Sequence, residues 1–330
     1  MRREAAVVPR KPVEYIDYAG EVAEDPQRLV ETLREFIEAI DEHRNEGERD
    51  GVRIYNHVVL APPKEPIVVI GDIHGDAETL ETILEDPDVE TALEKGYVVF
   101  LGDYIDRGPH QLESILIPML MYLENPGHVI MLRGNHEPPP ELIPYPHDFP
   151  IYLKMRYPEA EYSGFADTLY RTFIEEVFPR IPDAAIIEGR LFLVHGGPPT
   201  TFLEADRWTT ALRADEYPTP LEVLEELLWN DPCPDCEEYE PNPRGAGKLW
   251  GTRVTEKTLE LTSTKLIVRG HEAVNEGYKF DHGDRVLTLF SRLGEPYGNE
   301  RAAYLVLRFM EGWWRRENLE KMIKLVELET

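Results

Sequence analysis

Five short apolar runs in this chain each end in a polar cluster whose side chains bind metal ions or move protons. Ile67–Ile70 is followed by Gly71-Asp72-Ile73-His74-Gly75, Tyr97–Leu101 by Gly102-Asp103-Tyr104-Ile105-Asp106-Arg107-Gly108, and His128–Leu132 by Arg133-Gly134-Asn135-His136-Glu137. Leu191–Val194 runs into His195-Gly196-Gly197, and Leu266–Val268 into Arg269-Gly270-His271-Glu272. Carboxylate, imidazole and carboxamide donors without cysteine suit hard to borderline divalent ions such as Mn, Fe, Zn or Mg. Asp72 and His74, two apart on an extended segment, point to one face. Asp103 has two oxygens and can bridge two ions, while Asn135, His195 and His271 can complete the second ion's shell. Two such ions, roughly 3.5–4 Å apart, would clamp a phosphoryl group and deprotonate a bridging water at neutral pH. A lone Asp-x-His or Gly-Asn-His-Glu is weak, because polar residues at strand ends are ordinary turn formers. Six candidate ligands spread over five strand ends are much more specific. Of the ten histidines, His43, His57, His110, His128, His147 and His282 fall outside these clusters and read as surface or packed residues.

The elements that must position these groups are strands alternating with helices. Ala77–Leu84 and Gln111–Leu123 have the length of crossover helices, so a sheet flanked by helices is the economical architecture. In such folds ligands bind at the carboxyl ends of the strands. Residues 1–66 read as an N-terminal extension with one helix, in which Asp25 is the N-cap, Pro26 the first helical residue, and Leu29, Leu33, Phe36, Ile37 and Ile40 the apolar face. That helix is expected to pack outside a catalytic domain spanning 67–310. The segment from Asp231 to Gly247 reads as a long loop. In residues 311–330, Leu319, Met322, Ile323 and Val326 are spaced for an amphipathic C-terminal helix.

Composition narrows the function. The 330 residues carry 35 Lys+Arg against 63 Asp+Glu, a net charge of −28, which repels a polyphosphate backbone and excludes a general nucleic-acid coat. A small phosphate pocket is not excluded. Hydrophobic residues at 42% suffice for a packed core. The longest apolar stretch, Ile115 to Leu123, contains Pro118 and falls well short of the roughly 20 residues of a membrane span. The opening residues Arg2, Arg3, Glu4 and Pro9 lack the apolar core of a signal peptide, so a cytoplasmic location is expected. Two cysteines, Cys233 and Cys236, provide no disulfide framework. They read as free thiols, a redox-sensitive disulfide, or half of a zinc site for which no second pair exists.

Together these motifs resemble the phosphoprotein phosphatase family of Ser/Thr protein phosphatases, from about residue 66 to 310. The likeness continues through Leu228-Trp229-Asn230-Asp231-Pro232, Arg244-Gly245-Ala246-Gly247 and Leu287-Thr288-Leu289-Phe290-Ser291. It implies an α/β metallophosphoesterase fold, a two-sheet β-sandwich flanked by helices. It also implies two divalent ions, manganese first with iron or zinc as alternatives. Asp72, His74 and Asp103 would hold one ion; Asp103, Asn135, His195 and His271 the other. His136 would be the general acid for a departing Ser or Thr alkoxide, oriented by Asp106, and Arg107 and Arg244 would grip the phosphate of a phosphorylated protein or peptide. Tyr297, in Pro296-Tyr297-Gly298, matches the family's phosphate-reaching tyrosine if a gap is allowed; otherwise it is a turn residue.

Guanidinium forks suit a phosphate dianion independently of any likeness. The rival on the same fold is a diadenosine tetraphosphate or other nucleotide phosphoesterase. Asp106, which those hydrolases typically lack, and Gly196-Gly197 after His195 favour the protein phosphatase. A catalytically dead phosphoprotein binder would have no use for a leaving-group acid. Two departures bear on specificity: Pro138-Pro139-Pro140 follows the acid motif, reshaping the surface up to Tyr162, and Glu272 stands where the family has Gln.

Overall fold

The computed structural model describes residues 10–328; the N-terminal stretch through Pro9 that was read for a leader lies outside the described residues. The first elements among the described residues are α1 (Glu14–Glu24) and α2 (Pro26–Glu46). Asp25 caps α2, accepting from the Gln27 and Arg28 N–H groups, with Pro26 in the first turn. The buried face of α2, Leu29, Leu33, Phe36 and Ile40, is the one its spacing announces. Phe36 meets Tyr122 edge-on at 5.7 Å, and His43 is a packed histidine bonded to the Tyr122 hydroxyl and the Val52 carbonyl.

Three strands follow, β1 (Glu48–Arg49), β2 (Val52–Tyr55) and β3 (Val58–Ala61), then β4 (Ile67–Ile70), α3 (Ala77–Leu84), α4 (Pro87–Lys95) and β5 (Tyr97–Phe100). Next come α5 (Gln111–Glu124), β6 (Val129–Met131), α6 (Phe149–Arg156), α7 (Phe165–Thr172), β7 (Ala184–Ile187) and β8 (Leu191–Val194). The chain continues through β9 (Asp231–Pro232), β10 (Tyr239–Pro241), β11 (Lys248–Trp250), β12 (Leu266–Arg269), β13 (Tyr278–Asp281) and β14 (Val286–Leu289), and ends with β15 (Arg301–Leu307) and β16 (Ile323–Glu327).

An eight-stranded sheet, ordered β1-β2-β3-β7-β8-β12-β14-β13, faces a five-stranded sheet ordered β16-β15-β4-β5-β6. Val69 and Phe100 of the smaller sheet share one apolar core with Leu193 and Leu287 of the larger. The alternate residues Phe192, Val194 and Ile267 enter a second core with Phe202, Leu227 and Trp250. Strands buried on both faces are expected to read as continuous apolar runs, and these do. The two-sheet α/β sandwich flanked by helices is as the resemblance implied.

Three local readings need correction. The described part of the first 66 residues, from Arg10, is more than a single outer helix: it forms two helices, and β1–β3 belong to the large sheet, with β3 parallel to β7 through Val58↔Ala184. Four-residue strands joined by the two-residue turn Asn56-His57, with Asn56 at φ 55°, leave too short a pattern to separate from a loop. The segment after Asp231 folds into a small sheet ordered β10-β11-β9. The C-terminal helix is confined to Arg316–Met322 and gives way to β16, antiparallel to β15. Ile323 and Val326 therefore belong to a strand. Lys324, between them, bonds to Asp86 and Asp88, and the register of β15 outweighs a helical spacing that runs only two turns.

Candidate active site

The carboxyl ends of β4, β5 and β6, parallel neighbours in one sheet, meet those of β8 and β12, parallel neighbours in the other. An isolated bridge between Asp72 and Phe290 joins the two sheets there. Turning sharply at a strand end requires unusual backbone. His74, Asp103, Asp106, Arg107 and His271 have φ of 47°, 56°, 65°, 76° and 69°, the left-handed region that Asp and His tolerate better than most residues. Neighbouring groups hold these turns. The Asp103 carbonyl accepts from Ile73 and His74 N–H, and the buried Glu137 carboxylate accepts from the N–H groups of Asp103, Tyr104 and Gly134 at 2.9, 2.9 and 3.0 Å. Close approach also fixes residue type: a Cβ on Gly134 would run into Asp103, and one on Gly270 into the Asp72 carboxylate.

All six expected ligands are brought together and buried. His74 Nε2 lies 3.3 Å from one Asp103 oxygen and His195 Nε2 lies 3.2 Å from the other, so this carboxylate sits between the two halves of the site. Asp72 is 4.0 Å from His74 Nε2 and accepts from the His271 N–H. Nδ1 of His74 faces the Ile105 carbonyl at 2.8 Å and Nδ1 of His195 faces that of Leu101 at 3.0 Å. Donating there turns the Nε2 lone pairs inward, the usual arrangement behind a metal-binding imidazole. Asn135 presents its carbonyl oxygen 3.0 Å from His195 Nε2 and 2.9 Å from His271 Nδ1. Acceptors facing one another are satisfied by a cation at their focus, or by the opposite amide orientation, in which the amide nitrogen donates to both imidazoles and to Asp103.

Electrostatics point the same way. Burial pushes the Asp72 carboxyl up, and the Asp103 charge adds to this. Burial opposes charging Asp103 too, but the His195, His136 and His74 imidazoles hold it well below the usual carboxylate range. Burial works against protonating His74 and His195, yet Asp103 draws both upward. The pocket therefore attracts positive charge, and its oxygen and nitrogen donor set fits a pair of divalent ions.

Beside these six residues His136 is paired with Asp106. His136 Nδ1 is 2.5 Å from Asp106 Oδ2, which leaves Nε2 to face the cavity. Burial would raise the Asp106 carboxyl, but hydrogen bonds from His136 and His147 hold it far below its ordinary range. His136 is lowered chiefly by burial, against the pull of Asp103 and Asp106. A cavity of about 300 Å³ is lined by His74, Asp103, Asn135, His136 and His271 together with Arg107, Arg244 and Tyr297. Tyr297 thus belongs to the site, its ring 5.7 Å from that of His74. Its hydroxyl is raised by burial, while the Arg107 guanidinium lowers it. The fully exposed Tyr145 stands at the mouth, 96% accessible.

A model of the calcineurin-like phosphoesterase family matches residues 65–275. The serine/threonine-protein phosphatase 4 catalytic subunit of Saccharomyces cerevisiae is 36% identical over 220 residues, covering 66% of this chain and 67% of the relative. The chain belongs to the calcineurin-like phosphoesterases, among the serine/threonine protein phosphatases. The phosphoesterase is also 30% identical to the serine/threonine-protein phosphatase 6 catalytic subunit of Caenorhabditis elegans over 247 residues, 74% of this chain and 70% of that one. A probable serine/threonine-protein phosphatase of Encephalitozoon cuniculi is 32% identical over 251 residues, 76% of this chain, which spans about half (52%) of that relative. Among solved structures, a Saccharomyces cerevisiae protein serine/threonine phosphatase with similarity to human PP5 superimposes with a TM-score of 0.63. The match covers 98% of this chain and 91% of that one at 21% identity, a likeness of fold.

Several working residues of the phosphoesterase escaped the sequence reading. Asp231 holds Arg244 through Nε at 2.7 Å and the buried Arg269 at 3.0 Å, and these cations with His271 keep its carboxyl low against the effect of burial. It lies in a recognised motif, but nothing local assigns it a role. Glu272 is matched by Arg269 at 2.7 Å, so its charge is compensated. Glu137 was likewise visible in its motif without a function. His147, set aside as a packed histidine, touches Asp106 at 2.7 Å. Cys233 and Cys236 are joined in a disulfide, Cα atoms 5.3 Å apart, and among the described residues neither enters a cluster suited to a metal.

Arg244→Ala in the phosphoesterase is expected to lower kcat/KM roughly 10- to 150-fold, the value of one charge-assisted hydrogen bond of about 1.5–3 kcal/mol. Arg244→Lys should recover part of it, because a lysine cannot reproduce the fork. Steady-state kinetics on a phosphopeptide checks this; equal activity in all three proteins would remove Arg244 from the site.

Proposed function

We propose that the phosphoesterase is a metal-dependent phosphatase of phosphoserine and phosphothreonine in proteins. The observation that carries this reading is the His136–Asp106 pair opening onto the same cavity as two arginines, Arg107 and Arg244. A serine or threonine alkoxide is a poor leaving group and needs a proton as the P–O bond breaks, and a positioned acid is worth on the order of 10²–10⁴ in rate. Asp72, His74 and Asp103 would hold one divalent ion and Asp103, Asn135, His195 and His271 a second, manganese being our first choice and iron or zinc the alternatives. Such a pair supplies Lewis acidity and an activated water at neutral pH. Arg107 and Arg244 bind and orient the phosphate oxygens, and Tyr297 closes the pocket beside them. His136, held by Asp106, gives its Nε2 proton to the departing oxygen. A nucleotide phosphoesterase on the same fold is disfavoured by Asp106, since a phosphate or nucleotide leaving group needs less help from an acid. Among the described residues no helix is long and apolar enough to cross a membrane.

The test is turnover of a phosphoserine peptide against diadenosine tetraphosphate, each with added Mn²⁺ and after chelation. Faster peptide hydrolysis that is lost on chelation is expected. Faster dinucleotide cleavage would overturn the ranking, and activity that survives exhaustive chelation would overturn the metal requirement.

A further inference from the structure

The Pro-rich segment after His136 does more than reshape a surface, because it ends on the carboxylate that orients the acid. His147 Nδ1 lies 2.7 Å from Asp106 Oδ2, the same oxygen that takes His136 Nδ1. The next two residues, Asp148 and Phe149, donate their N–H groups to the other oxygen, Oδ1, at 2.9 and 2.8 Å. Three of the four donors on this carboxylate therefore come from His147–Phe149 and the fourth is the acid itself. With its oxygens occupied by N–H donors, the Asp106, His136 and His147 cluster is a hydrogen-bonded network instead of a third cation site. Nδ1 of His147 carries the proton given to Asp106, and Nε2 lies 3.1 Å from the Tyr170 hydroxyl on α7, a hydrogen-bond partner that anchors the ring's far side. The imidazole is buried, its side chain 5% accessible, so water does not readily substitute for it.

We propose that His147 is a second positioning residue for the general acid, acting through Asp106. A hydrogen bond links Tyr170 to His147, His147 donates to Asp106, and His136 donates to the same Asp106 oxygen. Asp106 sits at φ 65° on a turn, and a carboxylate there has rotational freedom unless both oxygens are tied. The backbone donors tie Oδ1; His147 fixes Oδ2 at the point where His136 must reach it. Without His147 the Oδ2 atom loses that donor, the carboxylate is freer to rotate, and His136 Nε2 loses its aim at the leaving oxygen. A loss of aim is felt in proportion to how much the reaction needs the proton.

This inference rests on the acid role given to His136, and the experiment separates the two. Turnover of the wild-type protein, His147→Ala, His147→Asn and Tyr170→Phe is measured on a phosphoserine peptide and on p-nitrophenyl phosphate, whose leaving group needs little protonation. Melting temperatures are taken alongside. For His147→Ala, kcat on the peptide is expected to fall about tenfold more than kcat on the aryl ester, with little change in KM. His147→Asn, whose amide nitrogen can replace Nδ1 as the donor, should restore most of that ratio. Tyr170→Phe should give an intermediate ratio. Equal losses on both substrates, or no loss at all, would overturn the positioning role. Should His147→Ala not fold, the Asn and Phe variants carry the same test, and a wild-type ratio in both would count against the proposal. If the wild-type protein does not hydrolyse the peptide, the functional reading fails on its own. Phenyl phosphate against p-nitrophenyl phosphate, which differ in leaving-group basicity, then still reads the role of His147.

Discussion

Asp103→Asn is expected to leave the protein folded but lower kcat/KM by more than about 10³. The substitution keeps the shape of the side chain and removes the charge that both halves of the site share. Asp103 stands 3.3 Å from His74 and 3.2 Å from His195 through different oxygens, so no other described residue can take its place between them. Its Oδ1 also accepts the His136 N–H at 2.9 Å, which links the ligands to the acid. Charge stabilisation at a metal pair is worth several kcal/mol, and each 1.36 kcal/mol is a factor of ten in rate. The same variant should retain fewer divalent ions after dialysis, falling from two per chain to one or none by elemental analysis. Two ions retained together with a loss below tenfold would show that Asp103 does not bridge.

His136→Ala is the second large effect, a fall of about 10²–10⁴ in kcat on phosphoserine peptides. It should be much smaller on p-nitrophenyl phosphate, because nitrophenolate leaves without help. Metal content should not change, since His136 lies beside the ligand Asn135 but its Nδ1 is committed to Asp106 at 2.5 Å. Comparable losses on the alkyl and aryl esters would assign His136 to substrate binding instead of proton donation. The pairing of these two variants matters: one is expected to alter ion content and all substrates alike, the other neither.

How much of this was legible in the sequence depended on how local each signal was. Asp72, His74, Asp103, Asn135, His195 and His271 each follow an apolar run directly, and a strand that ends in a polar cluster can be read from consecutive residues. The same holds for Asp25 and Pro26 at the start of α2. His147 was not legible because its partner Asp106 is 41 positions away and the intervening prolines carry no periodicity. Asp231 lies within a motif, but its use depends on Arg244 and Arg269 arriving from separate elements. β16 was missed for a different reason: Leu319, Met322, Ile323 and Val326 fit a helix as well as the end of a helix plus a strand. Only pairing of Ala302 with Val326 and of Tyr304 with Lys324 decides between them.

The left-handed turns at the strand ends bear on how this protein can be made more robust. Five non-glycine residues of the site occupy a region that L-residues enter at a penalty of roughly 1–2 kcal/mol each, least for Asp and His and most for a residue such as Arg107. Their N–H groups are tied down one by one: His74 to the Asp103 carbonyl, Asp103 to Glu137, Asp106 to Gln111, Arg107 to Asp148 and His271 to the Asp72 carboxylate. Glycine at Arg107 would relax its turn and remove the guanidinium proposed to bind the phosphate in the same step, so local stability and turnover are traded at these positions. Improvements to thermal tolerance that preserve activity must therefore come from the helices and sheet edges, away from the strand ends where the chain carries its strain.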